Sequence, residues 1–201
     1  MSMFSATKDS PRMFKSDFLD FFSRTHFSLV AILYVPASFA LIAYSIYAGF
    51  IQLLPALGLA LAGIVAWTFV EYWLHRTFFH WKPNTWWGPK LHFLVHGVHH
   101  DWPRDKYRLV MPPAVSISLF FIFLAIWYAV FGRIGLAFHG GFVIGYMIYD
   151  LTHYYLHYGK PKSKYFRNLR RHHMSHHFNE KHFERRFGVS TRFWDRIFQT
   201  A

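Results

Sequence analysis

Cysteine is absent from the 201 residues. Disulfides, thiolate metal sites and cysteine nucleophiles are therefore excluded, and any metal must be held by histidine and carboxylates. Charge is also scarce, at 16% of residues, and acidic residues number only ten against 22 Lys and Arg. A signal-peptide pattern is missing: the first 24 residues mix Lys8, Arg12 and Lys15 with Asp9, Asp17 and Asp20 and have no apolar core. There is no strong internal repeat and no low-complexity linker. What is abundant is apolar and aromatic: 53% and 22% of residues, with 24 Phe. The net charge of +12 does not point to nucleic acid, whose binders are rarely this apolar. Basic loops beside anionic membrane lipids account for it better.

Four apolar stretches organise the chain, at Phe27–Ile51 (with Pro36 inside), Leu53–Trp73, Ala114–Phe131 and Ile134–Tyr155. Each approaches the ~20 residues that a helix needs to cross a bilayer. The short joins within the first and second pairs predict two helical hairpins. All Lys and Arg except Arg133 fall outside the hairpin tips. Positive charge marks the cytoplasmic side, so both termini and the long middle loop are expected there. Trp81, Trp86, Trp87 and Trp102 would sit at the interface. Phe14, Phe18, Phe21 and Phe22 recur at helical spacing and predict a short interfacial helix within Met1–Arg24. The reading is an all-α, multi-pass integral membrane protein of four spans. It forms one domain, 1–201, with residues 1–26 as an interfacial N-terminal segment.

Fifteen histidines are a large excess, and most are clustered. His75 and His80 end the second stretch. His96, His99 and His100 lie in the middle loop. His153 and His157 end the fourth stretch, and His173, His176 and His177 lie in the tail. The charge-derived topology puts all four groups at one membrane face. Residues three and four apart share a helical face, so each triplet can present imidazoles to one centre. His75 and His80, five apart, need a helix that ends or bends between them. Ten imidazoles exceed what one ion binds, so two ions are expected, about five ligands each with room for an open position. His26 and His139 lie outside the clusters. His92, His172 and His182 flank them.

Glu71 is four before His75 and Asp150 three before His153. A carboxylate within or beside an apolar span is functional by default, and accepting a hydrogen bond from the far ring nitrogen of a ligand His is the expected role, with direct ligation as the other reading. Tyr149 is a further candidate beside the ligands, with packing as its other reading. Asp101, Arg104, Asp105 and Arg108 follow the second cluster and could meet a lipid head group. No catalytic residue is expected beyond the metal centre.

HRTFFH, HGVHHDWPRDKYRLVMPP, YDLTHYYLHYG, HHMSHHF and FGVSTRFWDRIF, in that order, resemble the fatty acid hydroxylase superfamily, most of all its fatty acid (sphingolipid) 2-hydroxylases. The resemblance implies that the ten clustered histidines are the ligands and that His172 need not be one. It further implies a cytoplasmic helical cap over a dimetal centre and iron as the metal, with zinc able to occupy such sites in isolated protein. The implied reaction uses O2 to hydroxylate a lipid acyl chain beside its carbonyl, as in a ceramide-like lipid. A fused cytochrome b5 domain, frequent in eukaryotic members, is not expected here, so a separate cytochrome b5-like or ferredoxin-like donor would supply electrons. Other readings are a related oxygenase (desaturase, sterol oxidase or carotenoid hydroxylase), a metal transporter, or a zinc-stabilised membrane scaffold.

Overall fold

The computed structural model describes residues 10–201, and among them every regular element is helical. The chain begins with α1, Asp17–Phe22. This is shorter than the phenylalanine spacing suggests, and Phe14 lies outside it. The reason is local. Ser16 caps the helix by accepting the Leu19 N–H, and the Asp20 carboxylate accepts from Met13 N at 2.7 Å and Phe14 N at 3.3 Å, which folds the preceding residues back. Residues 1–9 of the expected interfacial segment lie outside the described residues.

Among the described residues three stretches are long and apolar enough to cross a membrane: Ser28–Tyr47, Leu53–Phe79 and Pro113–Tyr158. The first is α2, Ser28–Tyr47, which continues through Pro36. The second is α3, Leu53–Trp73, extended by a π-helical turn, Leu74–Phe79. The third, of 46 residues, is α6, Pro113–Phe131, and α7, Gly135–Tyr158, separated by a 3-10 turn at Gly132–Ile134. Ring pairs Phe131–Phe138 (5.1 Å) and Phe123–Phe142 (4.8 Å) show α7 running back along α6.

Most of α7 is buried, and glycine makes this feasible. A Cβ on Gly141 would collide with the Ala60 backbone of α3, and one on Gly63 with the Phe138 carbonyl. Close backbone approach through small residues is how helices associate where lipid removes the hydrophobic drive. Trp67 fills the remaining space against Phe142, Tyr146 and Tyr149. The outward faces of α2, α3 and α6 stay uncovered and apolar, with Ile32, Leu54, Leu61, Phe121 and Ile122 all exposed. Such faces suit hydrocarbon rather than water.

The remaining elements gather at one end of this bundle. They are α4 (Gly88–His92), a π-helical turn (Phe93–Gly97) and α5 (Val98–Asp101) from the middle loop. From the tail come α8 (Lys164–Phe178) and α9 (Phe193–Ile197). Val110, Leu169 and Val189 carry the core of α7 into this cap. Trp194 Nε1 donates to Thr68 Oγ1 at 3.0 Å and Phe198 stacks on Tyr72 at 5.2 Å, which fastens α9 to α3.

Candidate metal centre

The ten clustered imidazoles meet in two groups of five. His75, His80, His96, His100 and His176 form the first, and His99, His153, His157, His173 and His177 the second; within each, the ring nitrogens lie within 4.8 Å of one another. Local geometry explains the partition. His75 and His80 share a face because the turn between them is π-helical, with five-residue rather than four-residue hydrogen bonding. The helix thus widens between them instead of ending. Each triplet is divided, contrary to the expectation that it serves one centre. His96 and His100, four apart, go to the first group while His99 turns to the second. His173 and His177 go to the second group while His176 turns to the first. A difference of one residue is about 100° around a helix, enough to aim at a different ion.

Main-chain carbonyls set the tautomers of some of these rings. His75 Nδ1 donates to Phe187 O at 2.6 Å, His153 Nδ1 to Leu109 O at 2.7 Å, and His176 Nδ1 to Arg185 O at 2.7 Å. His157 is hydrogen-bonded to the Pro103 backbone. A carbonyl has no proton to give, so Nδ1 carries it and Nε2 presents a lone pair. Those lone pairs converge. Nε2–Nε2 separations are 3.1 Å for His75–His96 and His80–His176, 3.0 Å for His99–His153 and His99–His177, and 2.9 Å for His157–His173.

This arrangement fits a cation. Two nitrogens ~2.1 Å from one ion lie ~3 Å apart when they meet at a right angle and ~3.4 Å apart in a tetrahedron. The observed separations match the former, the angle of five- or six-coordinate ions. His100 Nε2 is buried with no hydrogen-bond partner, as an unfilled ligand atom would be. Burial pushes His96, His99, His100, His173 and His177 well below the ordinary histidine pKa and His176 down to about 4. These six and His80, also lowered by burial, are thereby held neutral, which is the form that binds metals.

Glu71 and Asp150 are both buried, but neither accepts from a ligand histidine. Glu71 Oε1 accepts from Val189 N at 2.7 Å and Ser190 N at 2.8 Å, and its Oε2 from the Ser190 hydroxyl. Asp150 Oδ2 accepts from Met111 N at 3.1 Å and Tyr146 Oη at 2.7 Å. The ring protons they were expected to take go to Phe187 O and Leu109 O instead. Each carboxylate therefore braces the backbone two residues beyond the carbonyl that orients its neighbouring histidine. Tyr149 packs: its ring lies parallel to His153, 6.1 Å away, and against Trp67.

A cavity of about 620 Å³ opens beside the centre. Its lining is mostly apolar, from Phe14, Phe22, Phe78, Val95, Val110 and Leu119, and includes His96, His99 and His153. Imidazoles of both groups thus face it. Of the head-group candidates only Arg108 lines it; Asp101, Arg104 and Asp105 do not. Asp105 and Arg108 are buried against each other at 2.9 Å, and Arg108 also bonds Ser10 Oγ at 3.0 Å and faces Asp20 at 3.7 Å. Their structural task is to tie the N-terminal segment to the middle loop.

His26, His92, His139, His172 and His182 join neither group. His139 is buried in α7 against Phe120, 4.7 Å away. His172 Nε2 pairs with Asp195 Oδ2 at 2.9 Å, and the His182 carbonyl faces His176 Nδ1 at 3.2 Å. Asp195 is the residue that sequence reasoning missed. It is fully buried and takes four hydrogen bonds: from His172, Phe187 N, Gly188 N and Thr200 Oγ1. Burial raises its pKa, but these bonds, with His172 foremost, hold it below the usual carboxylate value. The available signal was that it is the one acidic residue after Glu184.

Comparison with known proteins agrees with this architecture. The family model described as fatty acid hydroxylase matches residues 60–200. A dihydroceramide fatty acyl 2-hydroxylase of Arabidopsis thaliana is 39% identical over 97% of this chain and 81% of its own length. A fatty acid 2-hydroxylase of Mus musculus is 39% identical over 94% of this chain, which spans 56% of the mouse protein. Among solved structures, full-length scs7p, with only its hydroxylase domain visible, superposes with a TM-score of 0.84 at 34% identity, covering 92% of this chain and 69% of the other. With the family match running from α3 through both histidine groups to the end of α9, this chain belongs to the fatty acid hydroxylase family.

Proposed function

We propose that the protein is a dimetal, O2-dependent membrane hydroxylase that places a hydroxyl on carbon 2 of a lipid acyl chain, in a ceramide-like or other acyl lipid. The observation that carries this is the apolar cavity lined in part by His96, His99 and His153, imidazoles drawn from both groups. A saturated C–H bond offers no handle to acid–base or nucleophilic chemistry, and a redox metal pair, here expected to be iron, supplies activated oxygen when bound. The chain's own residues do the rest. Phe78, Val95, Val110 and Leu119 hold the acyl chain and keep water out, and the carbon nearest the imidazoles is the one hydroxylated. Phe187 O, Leu109 O and Arg185 O keep His75, His153 and His176 in the donating tautomer. The names of the relatives, which act on dihydroceramide fatty acyl groups and fatty acids, favour carbon 2 over the outcomes of a desaturase or sterol oxidase.

In this reading α2, α3, α6 and α7 make four crossings, and both termini and the metal centre face the cytoplasm, as the position of every Lys and Arg but Arg133 favours. A separate electron donor reduces the centre. Lipid analysis of cells with and without the gene, grown under 18O2, tests the proposal. The expected product is an acyl lipid heavier by one labelled oxygen, fragmenting as a 2-hydroxy chain. Oxygen at another carbon, or a double bond, would defeat it.

A further inference from the structure

The loop between α8 and α9 is held in an unusual way. All four backbone N–H groups of Phe187–Ser190 are given to two buried carboxylates. Asp195 takes Phe187 N at 2.9 Å and Gly188 N at 2.8 Å, and Glu71 takes Val189 N at 2.7 Å and Ser190 N at 2.8 Å. The two acids are far apart in sequence, Glu71 on α3 and Asp195 on α9, which packs against α3. Just before the clamped run, Arg186 adopts φ 64°, in the left-handed region that non-glycine residues avoid, and its N–H is taken by Thr200 O at 2.8 Å. The carbonyls on either side of Arg186 are the acceptors for His176 Nδ1 and His75 Nδ1. Thr200 in turn donates its hydroxyl to Asp195. Both carboxylates are nearly inaccessible, so this is not a solvent-facing turn.

Resting on the reading of the ten imidazoles as ligands of two ions, we propose that Glu71 and Asp195 are positioning residues for one ion only. By clamping Phe187–Ser190 they aim two carbonyls at His75 and His176, both in the first group. The second group draws nothing from this loop. Its carbonyl partners for His153 and His157 are Leu109 and Pro103, in the middle loop. A carboxylate that served only to hold the fold together would loosen both ions alike.

The test follows metal release to a chelator from the purified, loaded enzyme in detergent, with His80→Ala and His157→Ala marking which phase belongs to which group. Glu71→Gln and Asp195→Asn are expected to speed the phase missing in His80→Ala by roughly tenfold or more and leave the other within about twofold. Ser190→Ala, which removes one hydroxyl from Glu71 and leaves every backbone bond, should speed the same phase by a smaller factor. It decides the matter if a carboxylate variant fails to fold. Equal acceleration of both phases, or none in any variant, overturns the proposal. Wild-type protein that holds fewer than two ions overturns the two-ion reading itself, and the proposal with it.

Discussion

The two histidine groups are built from the same parts with the roles exchanged. The first takes its membrane-end pair, His75 and His80, across a π-helical turn, and the second takes His153 and His157 across an ordinary α-helical turn. Each then draws an i,i+4 pair from one cap triplet and a single ring from the other. Their supports differ. The loop that steadies the first group, Arg185–Ser190, does not line the apolar cavity and is clamped by carboxylates. The segment that steadies the second group includes Leu109, Val110 and Met111, which also form the cavity wall. One support is therefore separate from the cavity, while the other is part of its wall.

The most severe way to break this comparison is to remove a ligand from each side. His80→Ala and His157→Ala should each lower product formation by more than ~100-fold, beyond the loss typical of an outer partner. They should differ in which ion disappears, as read from metal content and release. Turnover retained in either one would show that the two groups are not equal partners.

Arg108→Met should act next most strongly and on one side alone. It leaves Asp105 buried without its cation and loosens the hold on Asp20. Stripping one member from a buried pair costs about 3 kcal/mol. Limited proteolysis should then cut the residue 10–24 segment faster, with the release phase of the first group unchanged.

Asp150→Asn is the mirror of Glu71→Gln. By replacing the charged acceptor of Met111 N with a weaker amide oxygen it should loosen the second group's ion by roughly tenfold, and loosening of the first group's ion instead would invert the assignment.

Acid supplies the mildest test. His176 titrates at about 4 in the folded protein against 6.5 ordinarily. Between those values the unfolded chain binds a proton that the folded chain refuses, so stability falls as pH drops from about 6.5 and is unaffected above it. At pH 5.5 this residue alone costs on the order of 1 kcal/mol in metal-free protein. Urea unfolding at pH 7 and 5.5 should show the difference shrink in His176→Gln. His177→Gln, on the other side, should shrink it too, because burial lowers that ring as well.

Much of the site was legible in the sequence because imidazole clusters at helical spacing have few other uses. Periodicity told that His96, His99 and His100 lie close together, but not that one ring would turn to a second ion, since that depends on where α5 sits relative to both groups. The five-residue gap between His75 and His80 was visible as an irregularity, and its resolution as a π turn was not. Apolar length and charge asymmetry foretold the helical, membrane-suited bundle, and the glycines of α7 were legible only as residues, not as the contact face with α3. Glu71 and Asp150 stood out in the sequence as costly carboxylates, and both are buried. Their partners were misread because hydrogen bonds 118 and 39 residues away in sequence leave no local pattern. Asp195 was passed over for the same reason: a lone acid among arginines reads as surface until the fold closes around it.

The bond from His75 to Phe187 joins residues 112 apart. At 5–20 residues per second the ribosome needs roughly 6–20 s to make that interval. During this time α3 has already been made, but the carbonyl that orients its histidine does not yet exist. The first histidine group is thus completed only after the tail has been synthesised and folded back, so its geometry cannot be set while α3 alone is in place.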